Sequence, residues 1–401
     1  MLEGIGMKNK TQFLAILSML MTMLGMSFIG GSRGVLVPVF KSEFLVTDSN
    51  IGFMFLVSTF GYMIFTYVVG NILETIGNKK TLIIGTFIIM ASLVVMIFSP
   101  NFIVFTFAYF LNGAGNAFLI FGVNFTTPLF AVAFQAALMN IIHGSYGLGS
   151  AFVQRLTGYL ISMSIDWRVM LSGFLAFQFL ILFLIIISKY PNIPKEVKVD
   201  PQGAPIINVS PLKNKIVYFY IFALGFGLIG EHGINNWFVN YAKEGFGIGE
   251  NVGSTYLSLF FILFTIGRFA GGFLLEKIGY LKGVIIAQLL TAVIYLIGIQ
   301  LGANGFLLIA MAGILQAIIY PTIVTTIPKV FKKNSAKTMA TIIIGSSLLN
   351  NLSSLFLGVL NDTIGVISSF YMLPIQVVLS AIAAYLIFRT TKDIFVPEVS
   401  L

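Results

Sequence analysis

The chain has 401 residues, 58% of them hydrophobic and 9% charged, with a formal net charge of +9 and no cysteine. A soluble globular domain carries about a quarter of its residues charged, so this composition excludes a soluble particle and predicts an outer surface that meets lipid. The lack of cysteine excludes a disulfide framework and thiolate metal sites.

A hydrocarbon core about 30 Å thick takes about 20 apolar residues of helix. The first apolar stretch, 13–40, is too long for the h-region of a secretory signal and reads as the first membrane span. Counting onward gives spans at 12–40, 50–73, 81–99, 102–125, 136–163 and 167–188. Span 1 carries Arg33 in its outer part, where it either attracts an anionic substrate or snorkels to the surface. Span 2 ends in Gly70-Asn-Ile-Leu-Glu74-Thr-Ile-Gly77-Asn-Lys79-Lys80. Span 4 reads Asn112-Gly-Ala-Gly-Asn116, ending at Asn124, and span 5 opens Asn140-Ile-Ile-His143-Gly-Ser-Tyr146. Asn140, His143 and Tyr146 fall at i, i+3 and i+6, one helical face able to hydrogen-bond hydroxyls. The competing account is a histidine that staples two helices together. Arg155, later in span 5, either snorkels or faces a cavity beside Gln154.

Residues 189–213 hold five prolines and little hydrophobicity, which marks a linker between an N-terminal bundle, 1–188, and a C-terminal bundle, 214–401. Spans resume at 214–241, 252–275, 282–302, 304–328, 337–360 and 366–388. Span 7 holds Gly230-Glu231-His232-Gly-Ile-Asn235-Asn236-Trp237, and span 8 holds Arg268 and ends in Gly272-Phe-Leu-Leu-Glu276-Lys-Ile-Gly279. Span 10 holds Gln316, Tyr320 and Pro321, and span 11 holds Asn350.

Twelve spans put both termini on one side. With the termini cytoplasmic, 17 of the 23 Lys and Arg lie inside, and only Lys41, Arg168 and Lys243 lie outside. The positive-inside rule therefore predicts a multi-pass cell-membrane protein with cytoplasmic termini. It also accounts for the net charge without nucleic acid.

Gly70 and Gly272, Glu74 and Glu276, and Gly77 and Gly279 are each separated by 202 residues, in equivalent loops. A shared offset of half the chain predicts a duplicated six-helix unit. The pattern Gly-x-x-x-acid-x-x-Gly-x-basic resembles the signature loop of the major facilitator superfamily. That resemblance implies an all-α integral membrane fold of two pseudo-symmetric six-helix bundles, acting as a monomer, whose halves rock around a central site. It also implies a cytoplasmic gate of Gly70, Glu74, Gly77, Lys79, Gly272, Glu276 and Gly279, with glycines giving close contacts and tight turns and the acids latching basic groups or a helix end. Arg268, two turns before Glu276 on one face, belongs to this gate rather than to the substrate site.

The runs of spans 4, 5, 7 and 10 quoted above are similar to those of the fucose permease group of sugar symporters. This implies transport of a small polar solute, a sugar, by alternating access. Proton-coupled members carry acids near the outer end of helix 1 and four residues before the helix 4 asparagine; Gly34 and Ile120 stand there instead. The expectation is then either a uniporter or coupling through another group. Glu231 is that candidate, because an acid in a membrane span is functional by default; the alternative is a structural acid paired with Arg33 or Arg268.

The expected substrate-binding set is Asn116, Asn124, Asn140, His143, Glu231, Asn235, Trp237, Gln316, Tyr320 and Asn350. Amides read hydroxyls, and an indole stacks on the apolar face of a pyranose, although Trp237 also suits an outer aromatic belt. No cofactor is expected: there is no nucleotide-binding Gly-x-x-x-x-Gly-Lys-Ser/Thr loop, and the two histidines lie in different halves without a thiolate. Beyond substrate and bilayer, the coupling partner is protons or sodium. An exporter of drugs or metabolites and a non-transporting membrane sensor are the competing functions. An enzyme is not expected, since no nucleophile–base or metal cluster emerges.

Overall fold

The computed structural model describes residues 10–130, 135–191, 211–331 and 335–395. The first six spans are α1 (Lys10–Phe44), α2 (Asp48–Ile76), α3 (Asn78–Ile97), α4 (Phe102–Thr126), α5 (Gln135–Ser162) and α6 (Trp167–Ile187). Then come α7 (Lys215–Phe246), α8 (Glu250–Ile278) and α9 (Tyr280–Gln300). The tenth span is broken into α10 (Phe306–Met311), α11 (Gly313–Gln316) and α12 (Ile319–Val330), and α13 (Ser335–Ile364), α14 (Val366–Ser369) and α15 (Met372–Phe395) complete the chain. Among the described residues, 11 helices are long and apolar enough to cross a membrane. α5 is of similar length but is diluted by His143, Ser145, Gln154 and Arg155.

Several helices overrun the predicted spans by one or two turns, because helical hydrogen bonding continues past the apolar run into the interfacial region. The break before α12 has a local cause. Pro321 has no N–H to give the carbonyl of Ala317, and proline sits without that loss in a helix's first turn. The helix accordingly stops at Gln316 and restarts at Ile319.

By its contacts the chain divides into two units, Met1–Val46 with Phe53–Ile207, and Thr47–Gly52 with Asn208–Leu401. Their internal construction repeats. Gly77 donates to the carbonyl of Leu73 at 2.8 Å, and Gly279 to that of Leu275 at 2.8 Å. The two glycines have φ of 80° and 94°, conformations that a side chain disfavours, so each ends one helix and starts the next without a loop. Gly70 plays no comparable part: a Cβ there would meet only Phe121, at 3.8 Å. The close helix contact expected of it is made elsewhere. A Cβ on Gly113 would drive into the carbonyl of Ser58, crossing α4 on α2, and one on Gly313 into that of Phe260, crossing α11 on α8.

An aromatic cluster is duplicated as well. In the first unit Phe40, Phe44, Phe105 and Trp167 pack with centroids 4.7 Å apart for Phe40–Phe105 and 5.4 Å for Phe40–Trp167. In the second, Tyr241, Phe246, Phe306 and Phe370 repeat it, with Tyr241 stacked on Phe370 at 3.9 Å and Phe246 5.6 Å from Phe306. Corresponding members are 201, 202, 201 and 203 residues apart. Each cluster joins the ends of the first, fourth and sixth spans of its unit through edge-to-face and offset contacts.

Candidate substrate-binding site

In the first unit, α1 and α5 approach closely because Gly31 faces Ser150 and Val153, while Gly149 faces Ser27. A side-chain bond links α5 to α4 as well. His143 Nε2 lies 2.9 Å from Asn124 Oδ1, so the histidine donates from that nitrogen to the amide oxygen. Further along α4, Asn116 donates to Asn112 Oδ1 at 3.0 Å. Asn112 is buried, and its Nδ2 and the Oδ1 of Asn116 have no hydrogen-bond partner among the described residues. The side chain of Asn140 lies outside the described residues. Arg33 stacks its guanidinium over Phe55 at 5.1 Å, and the exposed Arg155 lies 5.9 Å over Tyr159.

In the second unit, the other histidine also pairs with an asparagine, between different spans and with the bond reversed. Asn350 Nδ2 on α13 lies 2.7 Å from His232 Nδ1 on α7, so His232 accepts there. Asn350 Oδ1 is buried without a partner among the described residues. Glu231, next along α7, is half-buried; it acts electrostatically on Tyr295 and feels the charge of Arg268. Tyr295 in turn donates to the carbonyl of Gly230 at 2.5 Å. Tyr320 also lies within reach of the Arg268 charge. Arg268, exposed and 4.7 Å over Phe264, thus stands electrostatically with Glu231 and Tyr320.

Gln316 belongs to a buried relay. Its Nε2 donates to Gln288 Oε1 at 3.0 Å, Gln288 donates to Ser380 at 3.0 Å, and Ser380 donates to the carbonyl of Ala223 at 2.6 Å. The relay ties α11, α9, α15 and α7 together beside the break in the tenth span, and leaves Gln316 Oε1 open among the described residues. Gly230 makes room for it, since a Cβ there would sit 2.7 Å from the Gln316 amide.

Trp237 is fully buried and donates from Nε1 to Ser354 at 3.0 Å. Asn236 reaches the same hydroxyl at 3.4 Å and is itself reached by Asn235 at 3.4 Å. The indole thus packs against α13 and is fully covered in this structure. Of the residues expected at a cytoplasmic gate, Lys79 donates to the carbonyls of Ile186 at 2.6 Å and Ser188 at 3.0 Å, placing a cation on the C-terminal end of α6 where the helix dipole favours it. The side chains of Glu74 and Glu276, and Gly272, lie outside the described residues.

The sequence reading did not place His232, Asn112, Gln288, Tyr295, Ser354 or Ser380 in the site. A glutamine in the middle of the ninth span was the available signal for Gln288, because a buried amide in lipid must find a partner. His232 and Asn112 carried the signal of a polar group within a span; Tyr295, Ser354 and Ser380 carry no local signal.

The sequence matches the profile of the Major Facilitator Superfamily over residues 15–256 and 231–394. It is 24% identical over 324 residues to the L-fucose-proton symporter of Escherichia coli (strain K12), a match covering 72% of this chain and 74% of that protein. A bacterial homologue of the human lysosomal transporter Spinster, solved inward-facing and unoccupied, overlays with a TM-score of 0.81 at 13% identity, covering 98% of this chain and 100% of that one. The structure of the D-xylose-proton symporter overlays with a TM-score of 0.76 at 15% identity, covering 97% of this chain and 98% of that one. Spans, duplicated units and sequence agree: this chain is a multi-pass membrane transporter and belongs to the major facilitator superfamily.

Proposed function

We propose that this transporter carries a small neutral polyhydroxylated solute, a sugar, coupled to a proton bound at Glu231. The observation that carries the reading is the pairing of both histidines of the chain with asparagines, His143 with Asn124 and His232 with Asn350. Each unit thereby holds a neutral hydrogen-bonding patch inside a membrane span. Unsatisfied amide atoms accompany both patches, on Asn112 and Asn116 in one unit and on Asn350 and Gln316 in the other. Such atoms are costly in lipid and gain most from a ligand rich in hydroxyls. The fucose-proton symporter likeness supports the same class of solute. The two bundles, joined by a cytoplasmic linker at 189–213, have both termini cytoplasmic on this reading, in line with the distribution of lysine and arginine.

A thermal-shift screen of the purified protein tests the substrate class. A ligand at about 100 times its Kd stabilises the folded state by about 2.7 kcal/mol. The expected result is a raised Tm with a neutral hexose or deoxyhexose and none with sugar acids or lipophilic cations. Stabilisation by lipophilic cations alone rejects the sugar reading and favours an exporter.

A further inference from the structure

We propose that a groove between α5 and α6, inside the first unit, binds one acyl chain of a bilayer phospholipid. Both helices pack along α1, and α6 is held to it at two levels. At the start of α6, Trp167 packs edge-to-face on Phe40, with centroids 5.4 Å apart. Further along, Gly25 admits Gln178 and Ile181, since a Cβ there would fall 2.9 and 2.5 Å from their side chains. Between these levels α1, α5 and α6 enclose a cavity of about 410 Å³. It persists because α6 lacks a side chain there: a Cβ on Gly173 would meet nothing within 4 Å.

The shape of the cavity selects its occupant. The wall runs from Ile165, in the turn before α6, to Phe177, the midpoint of Trp167–Ile187. From the start of α6 that is about 15 Å at 1.5 Å per residue, one leaflet of a hydrocarbon core about 30 Å thick. The floor is aromatic, with Phe28 5.3 Å from Phe174 and 4.9 Å from Phe177 between ring centroids. At the mouth, Ile165 and Val169 are 40% and 61% exposed, so the groove is continuous with the apolar surface that meets lipid. Among the described residues that line it, Thr157 alone has a polar side chain; it is 1% exposed and its Oγ1 has no hydrogen-bond partner. Thr157 stands five residues before the end of α5, on the interfacial side of the groove, where the ester groups of a lipid lie. An unmade bond in apolar surroundings is costly, and an ester carbonyl accepts it. Water does not suit the space, because a buried water needs several polar partners. A hydroxyl-rich solute is unsuited for the same reason, which separates the groove from the transport site. A free fatty acid would bring a carboxylate, yet no cationic side chain is among the described lining residues. Arg168, in the first turn of α6, is already paired with Glu43 at 2.8 Å.

Native mass spectrometry tests the assignment. The purified chain is delipidated in detergent and incubated in mixed micelles with palmitoyl-oleoyl phosphatidylcholine, or separately with oleic acid. A single phospholipid adduct is expected, and none with oleic acid. Gly173→Phe, whose ring occupies the groove, loses the adduct, whereas Gly173→Ala, which fills little of it, keeps it. Thr157→Val keeps the shape without the hydroxyl and weakens binding about fivefold, the scale of one hydrogen bond between neutral groups. It serves as the test should Gly173→Phe not elute as folded protein. A parent that takes up no phospholipid, or oleic acid in its place, overturns the proposal. So does equal uptake by folded Gly173→Phe, or by Thr157→Val where Gly173→Phe does not fold.

Discussion

Replacing Glu231 by glutamine abolishes proton-driven accumulation in proteoliposomes and leaves exchange of solute for solute intact. Proton coupling needs a group that changes charge, and glutamine keeps the shape and hydrogen bonds of the acid without the charge. A gradient of one pH unit supplies about 1.4 kcal/mol per proton, enough for about tenfold accumulation. The variant falls to equal concentrations on both sides. The positions where related symporters carry acids are Gly34 and Ile120 here, so no second carboxylate from that pattern compensates. Accumulation that survives Glu231→Gln removes Glu231 from coupling; loss of both accumulation and exchange assigns it to solute binding or folding instead.

Trp237→Ala unfolds or strongly destabilises the protein, by about 3–5 kcal/mol, the usual cost of deleting a fully buried large aromatic side chain. The indole has no exposed surface, and its removal also takes from the Ser354 hydroxyl the shorter of its two donors, leaving Asn236. Trp237→Phe retains most of the ring and loses less. The measurement is the Tm of each variant in detergent. A near-native Tm for Trp237→Ala combined with lost sugar binding would restore the indole as a stacking surface.

Trp237 shows what sequence conveys in a membrane protein. The spans were legible because lipid requires long apolar runs, and the duplication because Gly77 and Gly279 must each adopt positive φ at the same place in the repeat. The paired aromatic clusters were not legible, since Phe40, Phe105, Phe306 and Phe370 are four among 40 phenylalanines, most of which face lipid or fill space. Helix faces are equally hard to read. In a soluble protein polar periodicity tells the inner face from the outer, but the polar residues of α7 near Trp237 mark no single face, so Trp237 could be assigned to belt, cavity or core. His143 was placed on a polar face, and its partner Asn124 was named, yet the bond between them was not foreseen.

The central claim, a neutral sugar bound by paired histidine and asparagine groups, is tested most directly by counterflow. Proteoliposomes loaded with an unlabelled hexose or deoxyhexose are diluted into a trace of the same labelled sugar. The account predicts transient uptake of the label, abolished by the double change His143→Ala with Asn350→Ala in protein that still elutes as folded. Counterflow of a lipophilic cation with none of any neutral sugar would contradict it.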